Sequence, residues 1–474
     1  MLTPTKNIVN SMQIYETTSA DYQFEIDLTY DQNIEQCVPF ICNSAKGTDF
    51  RYLQRIVTRD DDNDKFNIEC YNSDPTTNLG SRDITLYILE FNENITIQKG
   101  EVSWSGTDDQ TVTISSVDLN RAILHFYSYV VVGTDKFRYL STRGWLSDST
   151  TITFSTKTYS SPGTTYVSWY VLECTSEDAF WSVEQVRHSE YDVSTSDPSE
   201  YYEDISVEDV NRTMILNSFL ETADINRPYN CMYKTYYPET DYAFSQIKYM
   251  NYNSSDGWWT HAETQVITFS ESSGVFVTFG DVTLNSSTTS VDYTVHAGVG
   301  IDGDTEFDLT RAMVISANEN GWGRVNSSSA SASDEGIHHY SFYDSTTVRA
   351  TRIDSSADSD SFFFAYQFPE YNGYYMEGYV KEISDPVARE VYAFRADTGE
   401  LIDQTTSDSG TGYFYLETSY SGVHYVVCMD DDAGTDYNDL IYGQIYPTVI
   451  SGCFAHYMGW TDTSLTVGTP AFRQ

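Results

Sequence analysis

Positive charge is what this chain most lacks: 26 lysines and arginines face 70 aspartates and glutamates, a formal balance of −44. So acidic a surface repels phosphate backbones and anionic headgroups at long range, which argues against nucleic-acid binding and membrane insertion. It also keeps a crowded assembly soluble and attracts divalent cations, whose hard charge prefers oxygen ligands. Adaptation to high salt would leave the same signature. Cysteine is scarce, and Cys37, Cys42, Cys70, Cys174, Cys231, Cys428 and Cys453 form an odd set without CxxC pairing. Neither a disulfide framework nor a zinc site is indicated. No run is long and apolar enough to cross a bilayer. Residues 1–10 (MLTPTKNIVN) lack the apolar stretch and cleavage site of a secretory signal, which fits assembly in a reducing cytoplasm.

Catalytic signatures are missing as well. The 8 histidines are dispersed, with no HExxH, and neither a GxSxG elbow nor a phosphate-binding loop occurs. The adjacent His338 and His339 lie in a stretch rich in Ser, Ala and Asp and read as a solvated pair.

What is abundant is aromatic area: 39 Tyr, 24 Phe and 8 Trp, far more than an unfolded acidic chain would carry. Tyr, Thr and Val crowd the chain while Lys and Leu are sparse, a mixture that suits pleated, half-buried surfaces. The fold class expected is all-β.

Internal repetition organises the chain. Val117-Asp118-Leu119-Asn120-Arg121-Ala122, Asp209-Val210-Asn211-Arg212-Thr213 and Phe307-Asp308-Leu309-Thr310-Arg311-Ala312 share a frame, each followed by apolar residues. Downstream lie apolar strands ending in an aromatic residue or Cys: Tyr170 to Cys174, Gln265 to Phe269 and Phe364 to Phe368. The spacing from arginine to strand end is 174 − 121 = 53, 269 − 212 = 57 and 368 − 311 = 57. Counting back 57 from Phe91, which ends the similar Tyr87-Ile88-Leu89-Glu90-Phe91, lands on Ile34 within Asp31-Gln32-Asn33-Ile34, an earliest copy without the arginine. A third mark, Asp-Ser-Thr-Thr, recurs at Asp148 and Asp344. Alternating segments separated by Ser, Asp, Asn and Gly point to one two-sheet sandwich per copy. The expected boundaries are 1–91, 92–175, 176–270 and 271–370 for four copies, 371–450 for a different β-sandwich and 451–474 for a tail.

In that fifth segment, Pro386-Val387-Ala388-Arg389-Glu390-Val391 is followed by Thr398-Gly399-Glu400-Leu401, Thr406-Ser407-Asp408 and Gly412-Tyr413-Phe414. Asp397-Thr398-Gly399 and Ser407-Asp408-Ser409-Gly410 read as hairpin turns, each needing a glycine at positive φ. The stretch resembles the transthyretin-like, carboxypeptidase-regulatory type of small β-sandwich. In tailed-phage structural and tail-appendage proteins this module often continues into an acidic run and a Y-N-x-x-I element, matched here by Asp430-Asp431-Asp432 and Tyr437-Asn438-Asp439-Leu440-Ile441. The resemblance covers roughly a sixth of the chain. It implies a virion location, with assembly in the host cytoplasm.

Candidate site residues are few. Arg121, Arg212 and Arg311 read either as strand-entry turns, with Asp bonding backbone amides and the arginine stem laid over the sandwich edge, or as contacts to a neighbouring subunit. Asp60, Asp62 and Asp64 have the D-x-D-x-D spacing of a calcium loop, but Lys65 stands where such loops want glycine and no Glu closes the ring. Asp430-Asp431-Asp432 and Asp354 with Asp358 and Asp360 are further oxygen-rich clusters. Tyr201-Tyr202, Trp258-Trp259 and Tyr371 to Tyr375 read as sugar-stacking platforms or as core and interface packing. Apart from calcium, no cofactor is implied. Three readings follow: a non-enzymatic structural protein of a phage tail, adaptor or fibre, assembled as a homo-oligomer with other virion proteins; an adhesin binding a host-surface glycan; or a polysaccharide depolymerase.

Overall fold

A computed structural model describes residues 8–19, 23–28, 33–43, 55–60, 65–70, 82–92, 94–106, 108–131, 142–156, 164–175, 180–190, 199–205, 209–221, 234–236, 246–251, 260–295, 306–316, 324–326, 338–352, 358–369, 374–382, 385–396, 398–399, 401–418, 423–429, 440–445 and 448–449. The chain divides into two compact units, Met1–Pro369 and Glu370–Gln474. Among the described residues the fold is all-β, with single 3-10 turns and no α-helix.

The first unit holds four copies of one six-strand plan. Copy 1 comprises β1 (Val9–Ser19), β2 (Gln23–Asp27), β3 (Cys37–Asn43), β4 (Arg55–Asp60), β5 (Lys65–Cys70) and β6 (Arg82–Phe91). Copy 2 comprises β7 (Ile95–Ser105), β8 (Gln110–Thr113), β9 (Ala122–Val131), β10 (Thr142–Asp148), β11 (Thr151–Thr156) and β12 (Thr164–Cys174). Copy 3 comprises β13 (Trp181–Glu190), β14 (Ser199–Asp204), β15 (Thr213–Glu221), β16 (Lys234–Tyr236), β17 (Gln246–Asn251) and β18 (Thr260–Phe269). Copy 4 comprises β19 (Phe276–Leu284), β20 (Ser290–Thr294), β21 (Ala312–Ser316), the additional β22 (Arg324–Asn326), β23 (His339–Asp344), β24 (Thr347–Thr351) and β25 (Asp358–Gln367).

With the six common strands of a copy lettered a to f in chain order, one sheet always runs a-f-c and the other b-e-d: β1-β6-β3 with β2-β5-β4, β7-β12-β9 with β8-β11-β10, and so on through copies 3 and 4. The pairings are antiparallel, so one face of each sheet can turn inward while its edges still need covering. In copy 2 the two sheets close over Leu124, Phe126, Leu146, Ile152, Phe154, Val167 and Trp169, all buried. Close approach is secured where strand a carries glycine opposite an aromatic on strand f. A Cβ on Gly100 would come within 2.7 Å of the Trp169 ring, and one on Gly280 would overlap the Phe363 ring more closely still.

The register explains why arginine and strand end move together in the sequence. Cys37, Ala122, Thr213 and Ala312 open strand c and pair with Glu90, Glu173, Thr268 and Gln367 on strand f. One residue further out, the Cys174 N–H donates to the Arg121 carbonyl (3.2 Å) and the Phe368 N–H to that of Arg311 (3.0 Å). The same register puts Gln36 in the arginine's place in copy 1, at 91 − 36 = 55, so the alignment of Ile34 with the arginines is corrected by two residues. Insertions in the loops between c and f do not alter this pairing, which is why the sequence spacing drifts.

The second unit contains β26 (Tyr374–Tyr379), β27 (Lys381–Glu382), β28 (Asp385–Pro386), β29 (Glu390–Arg395), β30 (Leu401–Thr406), β31 (Tyr413–Thr418), β32 (His424–Cys428), β33 (Leu440–Ile445) and β34 (Thr448–Val449). Sheets β31-β26-β34 and β30-β29-β32-β33 share a core of Met376, Val380, Val391, Ala393, Phe414, Leu416 and Val426. Gly399 adopts φ +75° as the turn requires. In the second turn Asp408 Oδ1 accepts from the N–H groups of Gly410 (3.0 Å) and Thr411 (2.8 Å), but the residue at positive φ is Gly412 (+77°), not Gly410. A Cβ on Gly412 would overlap the Val380 carbonyl oxygen. Gly412→Ala is therefore expected to destabilise the second unit by about 1–3 kcal/mol, read as increased amide exchange in β26 and β31 with the four copies unaffected. Unchanged exchange there would contradict the turn geometry.

Candidate functional site

Each copy enters strand c through the same short turn. Asp118 Oδ1 accepts from the Asn120 N–H, Asp209 Oδ1 from Asn211, Asp308 Oδ1 from Thr310, and Asn33 Oδ1 from Glu35, all at 2.9–3.1 Å. A backbone bond closes each turn: Gln36, Arg121, Arg212 and Arg311 donate N–H to the carbonyls of Asn33, Asp118, Asp209 and Asp308. In three copies strand f fixes the turn from below, where Glu90, Glu173 and Gln367 offer side-chain oxygens to the N–H groups of Asn33, Asp118 and Asp308. The arginine then folds back on its own aspartate: Arg121 Nε lies 3.7 Å from Asp118, Arg212 Nε 3.3 Å from Asp209 and Arg311 Nε 2.8 Å from Asp308. The structure places the three arginines at equivalent positions of separate copies and does not gather them into one site. Their side chains remain 35, 28 and 27% exposed, enough for an outside partner to reach.

The Asp-Ser-Thr-Thr mark is the hairpin turn between strands d and e. Asp148 Oδ1 accepts from the N–H and hydroxyl of Thr150, and Asp344 Oδ1 does the same with Thr346, which holds both carboxyls below the usual carboxylate range. The turn carbonyls dock the incoming chain: Ile114 and Val117 donate to Thr150 and Ser149, as Val295 and Phe307 donate to Thr346 and Ser345.

The most elaborate polar chemistry joins one copy to the next. Strand d of copy 1 contacts strands c and f of copy 2, strand d of copy 2 contacts c and f of copy 3, and strand d of copy 3 contacts f of copy 4. Strand d of copy 4 returns to c and f of copy 1, so the contacts close a cycle. Strands c and d are sheet edges, whose outward N–H and C=O groups need partners when buried. Side chains of the adjacent copy supply them. At equivalent places on strand d, the Val57 N–H donates to Ser168 Oγ (3.2 Å), the Gly144 N–H to Ser218 Oγ (3.3 Å) and the Tyr340 N–H to Cys42 Sγ (3.2 Å). Ser218 and Cys42 each stand five residues into strand c.

Two junctions are reinforced further. Gln265 stands in for a missing strand beside β9, taking the Leu124 N–H on Oε1 (2.8 Å) and donating from Nε2 to the Leu124 carbonyl (2.6 Å). At the other junction Tyr127 donates its hydroxyl to the Pro39 carbonyl (3.0 Å) and accepts the Ile41 N–H (2.8 Å), while His125 Nε2 lies 3.1 Å from the same carbonyl. His125 is stacked on Phe40, and burial pushes its imidazole down to about 4. Glu263 sits between Arg187 (2.8 Å) and Arg143 (3.4 Å), and burial raises its carboxyl despite both.

The reading of His338 and His339 as a solvated pair is overturned. They are 0% and 6% exposed. His338 bonds Ser359 through Nε2 (2.7 Å) and Ser361 through Nδ1, while His339 Nε2 meets Thr85 Oγ1 of copy 1 (2.9 Å). Strand d begins here and carries the pair inward, which the Ser- and Asp-rich flank conceals in the sequence. Arg352, 3% exposed, donates to the carbonyls of Thr288 and Asn285 and to Ser359 Oγ. These groups tie loops and copies together, and Gln265, Ser168, Ser218 and Thr85 carry no motif that singles them out in sequence.

The remaining candidates are less informative. The Asp60 to Asp64 run connects β4 to β5; residues 61–64 lie outside the described residues, as does the Asp60 side chain, and the calcium reading of Asp60, Asp62 and Asp64 stays an expectation. Asp354 and Asp430 to Asp432 also lie outside, whereas Asp358 Oδ1 accepts the Ser286 N–H (2.7 Å). Among the described residues, no group of three or more His, Cys, Asp or Glu is arranged to hold a metal ion. The side chains of Tyr201, Tyr202, Trp258, Trp259 and Tyr371 to Tyr375 lie outside the described set.

Two outcomes follow. Gln265→Ala leaves a buried N–H and C=O of Leu124 unpartnered and is expected to cost about 2–4 kcal/mol in denaturant unfolding, with Gln265→Glu intermediate because it keeps only the acceptor. Because the His125 pKa in the folded chain lies below its ordinary value of 6.5, the unfolded state binds the extra proton. The stabilisation is complete above about 6.5 and is lost as pH falls toward about 4, a change of about 3 kcal/mol. Urea midpoints at pH 7 and 4.5 should show that fall in the natural chain and a smaller one in His125→Phe.

The chain matches no protein-family model and no curated protein.

Proposed function

We propose that this chain is a non-enzymatic structural component of a tailed-phage virion, belonging to the tail, adaptor or fibre region and working through contacts between β-domains. The observation that carries the reading is how the polar side chains are used. His125, Tyr127, Ser168, Ser218, Gln265 and His339 are committed to backbone edges and hydroxyls of an adjoining copy, so that four sandwiches are held as one body. Such use favours mechanical integrity over turnover. The resemblance of the segment at 371–450 to the transthyretin-like module of phage appendage proteins supports the location, and the charge of −44 suits a protein packed densely among copies.

In this reading Arg121, Arg212 and Arg311 contact other virion proteins or a second copy through their exposed guanidinium portions, since arginine is enriched at such interfaces. The test is direct. Mass spectrometry of purified particles should recover the chain in stoichiometric amounts, and an attached label should mark one fixed place in particle images. Its absence from particles produced by cells that express it would end the proposal.

A further inference from the structure

Of the four junctions in the first unit, three join copies that are consecutive in the chain. The fourth, between copy 4 and copy 1, is spanned by no linker, because the residues that meet there are 254 to 298 positions apart. It is nonetheless made by the same means as the junctions between copies 1 and 2 and between copies 2 and 3. The Tyr340 N–H on strand d reaches Cys42 on strand c, as the Gly144 N–H reaches Ser218 at the equivalent place. His339 meets Thr85 on β6, and strand c of copy 4 also packs against strand c of copy 1. Thr85, Tyr87, Tyr340 and Cys42 are each no more than 3% exposed, so this is a desolvated contact. Its central acceptor is sulfur, a weaker acceptor than the hydroxyl that serves at the junctions between copies 1 and 2 and between copies 2 and 3.

We propose that the junction between copies 4 and 1 is an exchangeable assembly contact, in which strand d of copy 4 in one molecule can dock on strands c and f of copy 1 in a second molecule of the same chain. The surface presented by copy 1 is identical whichever molecule supplies copy 4, and no linker joins the two copies directly. What favours closure within a molecule is the effective concentration of tethered ends, on the order of millimolar for short tethers. Dilute chains therefore close on themselves, and crowded chains in an assembling particle can pair head to tail by exchanging the same contact, as in domain swapping. The proposal rests on the assembly role given above and names the partner, a second copy.

Two complementary variants test it without competition from closure. Thr85→Arg spoils the receiving surface of copy 1 and leaves copy 4 intact; His339→Glu spoils copy 4 and leaves copy 1 intact. Each variant alone should run at the monomer mass with the natural β-sheet circular dichroism. Mixed in equal amounts at tens of micromolar, well below the closure concentration, they should form a species of about twice the monomer mass, since His339 of the first can dock on Thr85 of the second. A mixture that stays monomeric while both variants remain folded overturns the proposal. So does loss of the β-sheet spectrum in either variant alone, because an opened chain that does not stay folded cannot present its intact surface to a second copy. Recovery of the chain in particles is independent of this result, so failure of exchange leaves the virion reading standing, and absence from particles leaves the exchange result standing.

Discussion

Unpaired backbone groups at sheet edges are the constraint on which the first unit depends. Three-stranded sheets are narrow, and each exposes two edges for one interior strand, so N–H and C=O groups of strands c and d face outward in every copy. Left in water they would invite aggregation; buried without partners they would each cost about 1–3 kcal/mol. The chain resolves the conflict by burying those edges against the adjoining copy and letting that copy's side chains complete the bonding. Gln265 beside Leu124, Tyr127 beside Pro39 and Ser218 beside Gly144 are three versions of one solution. Proline at Pro39 is compatible with it, since an edge residue has no neighbouring strand requiring its missing N–H.

This solution ties local turn chemistry to the larger arrangement. The Asp turn that starts strand c is fixed from strand f by Glu90, Glu173 or Gln367, which sets the register of the a-f-c sheet. The Asp-Ser-Thr-Thr turn fixes the d-e hairpin and receives the chain on its way to the Asp turn. With both turns in place, strand d presents one particular N–H to the next copy. Copies that diverge in loop length can thus keep an equivalent junction, with its acceptor on strand c or strand f.

Burying polar groups at the junctions also decides their protonation. Desolvation lowers the His125 imidazole and raises the Cys42 thiol to about 12, leaving both neutral where they bond. Glu263 is raised by burial although two guanidinium groups adjoin it. Apart from Glu263, the carboxylates with the clearest bonding lie in turns, where Asp148, Asp344 and Asp408 bond threonine hydroxyls and backbone N–H groups.

By itself the sequence determined the all-β class, the presence of repeated copies and the turn role of the Asp residues, because aromatic and β-branched abundance and Asx turns act over a few residues. It could not align copy 1 correctly, since Gln36 in place of arginine removes the mark by which the copies are matched. It misjudged His338 and His339, whose neighbours in sequence are polar but whose neighbours in space are Ser359, Ser361 and Thr85. The cycle of junctions was decided only by tertiary structure: Cys42 and Tyr340 lie 298 residues apart, and no local pattern records that the edge of one sheet will be completed by a side chain of another.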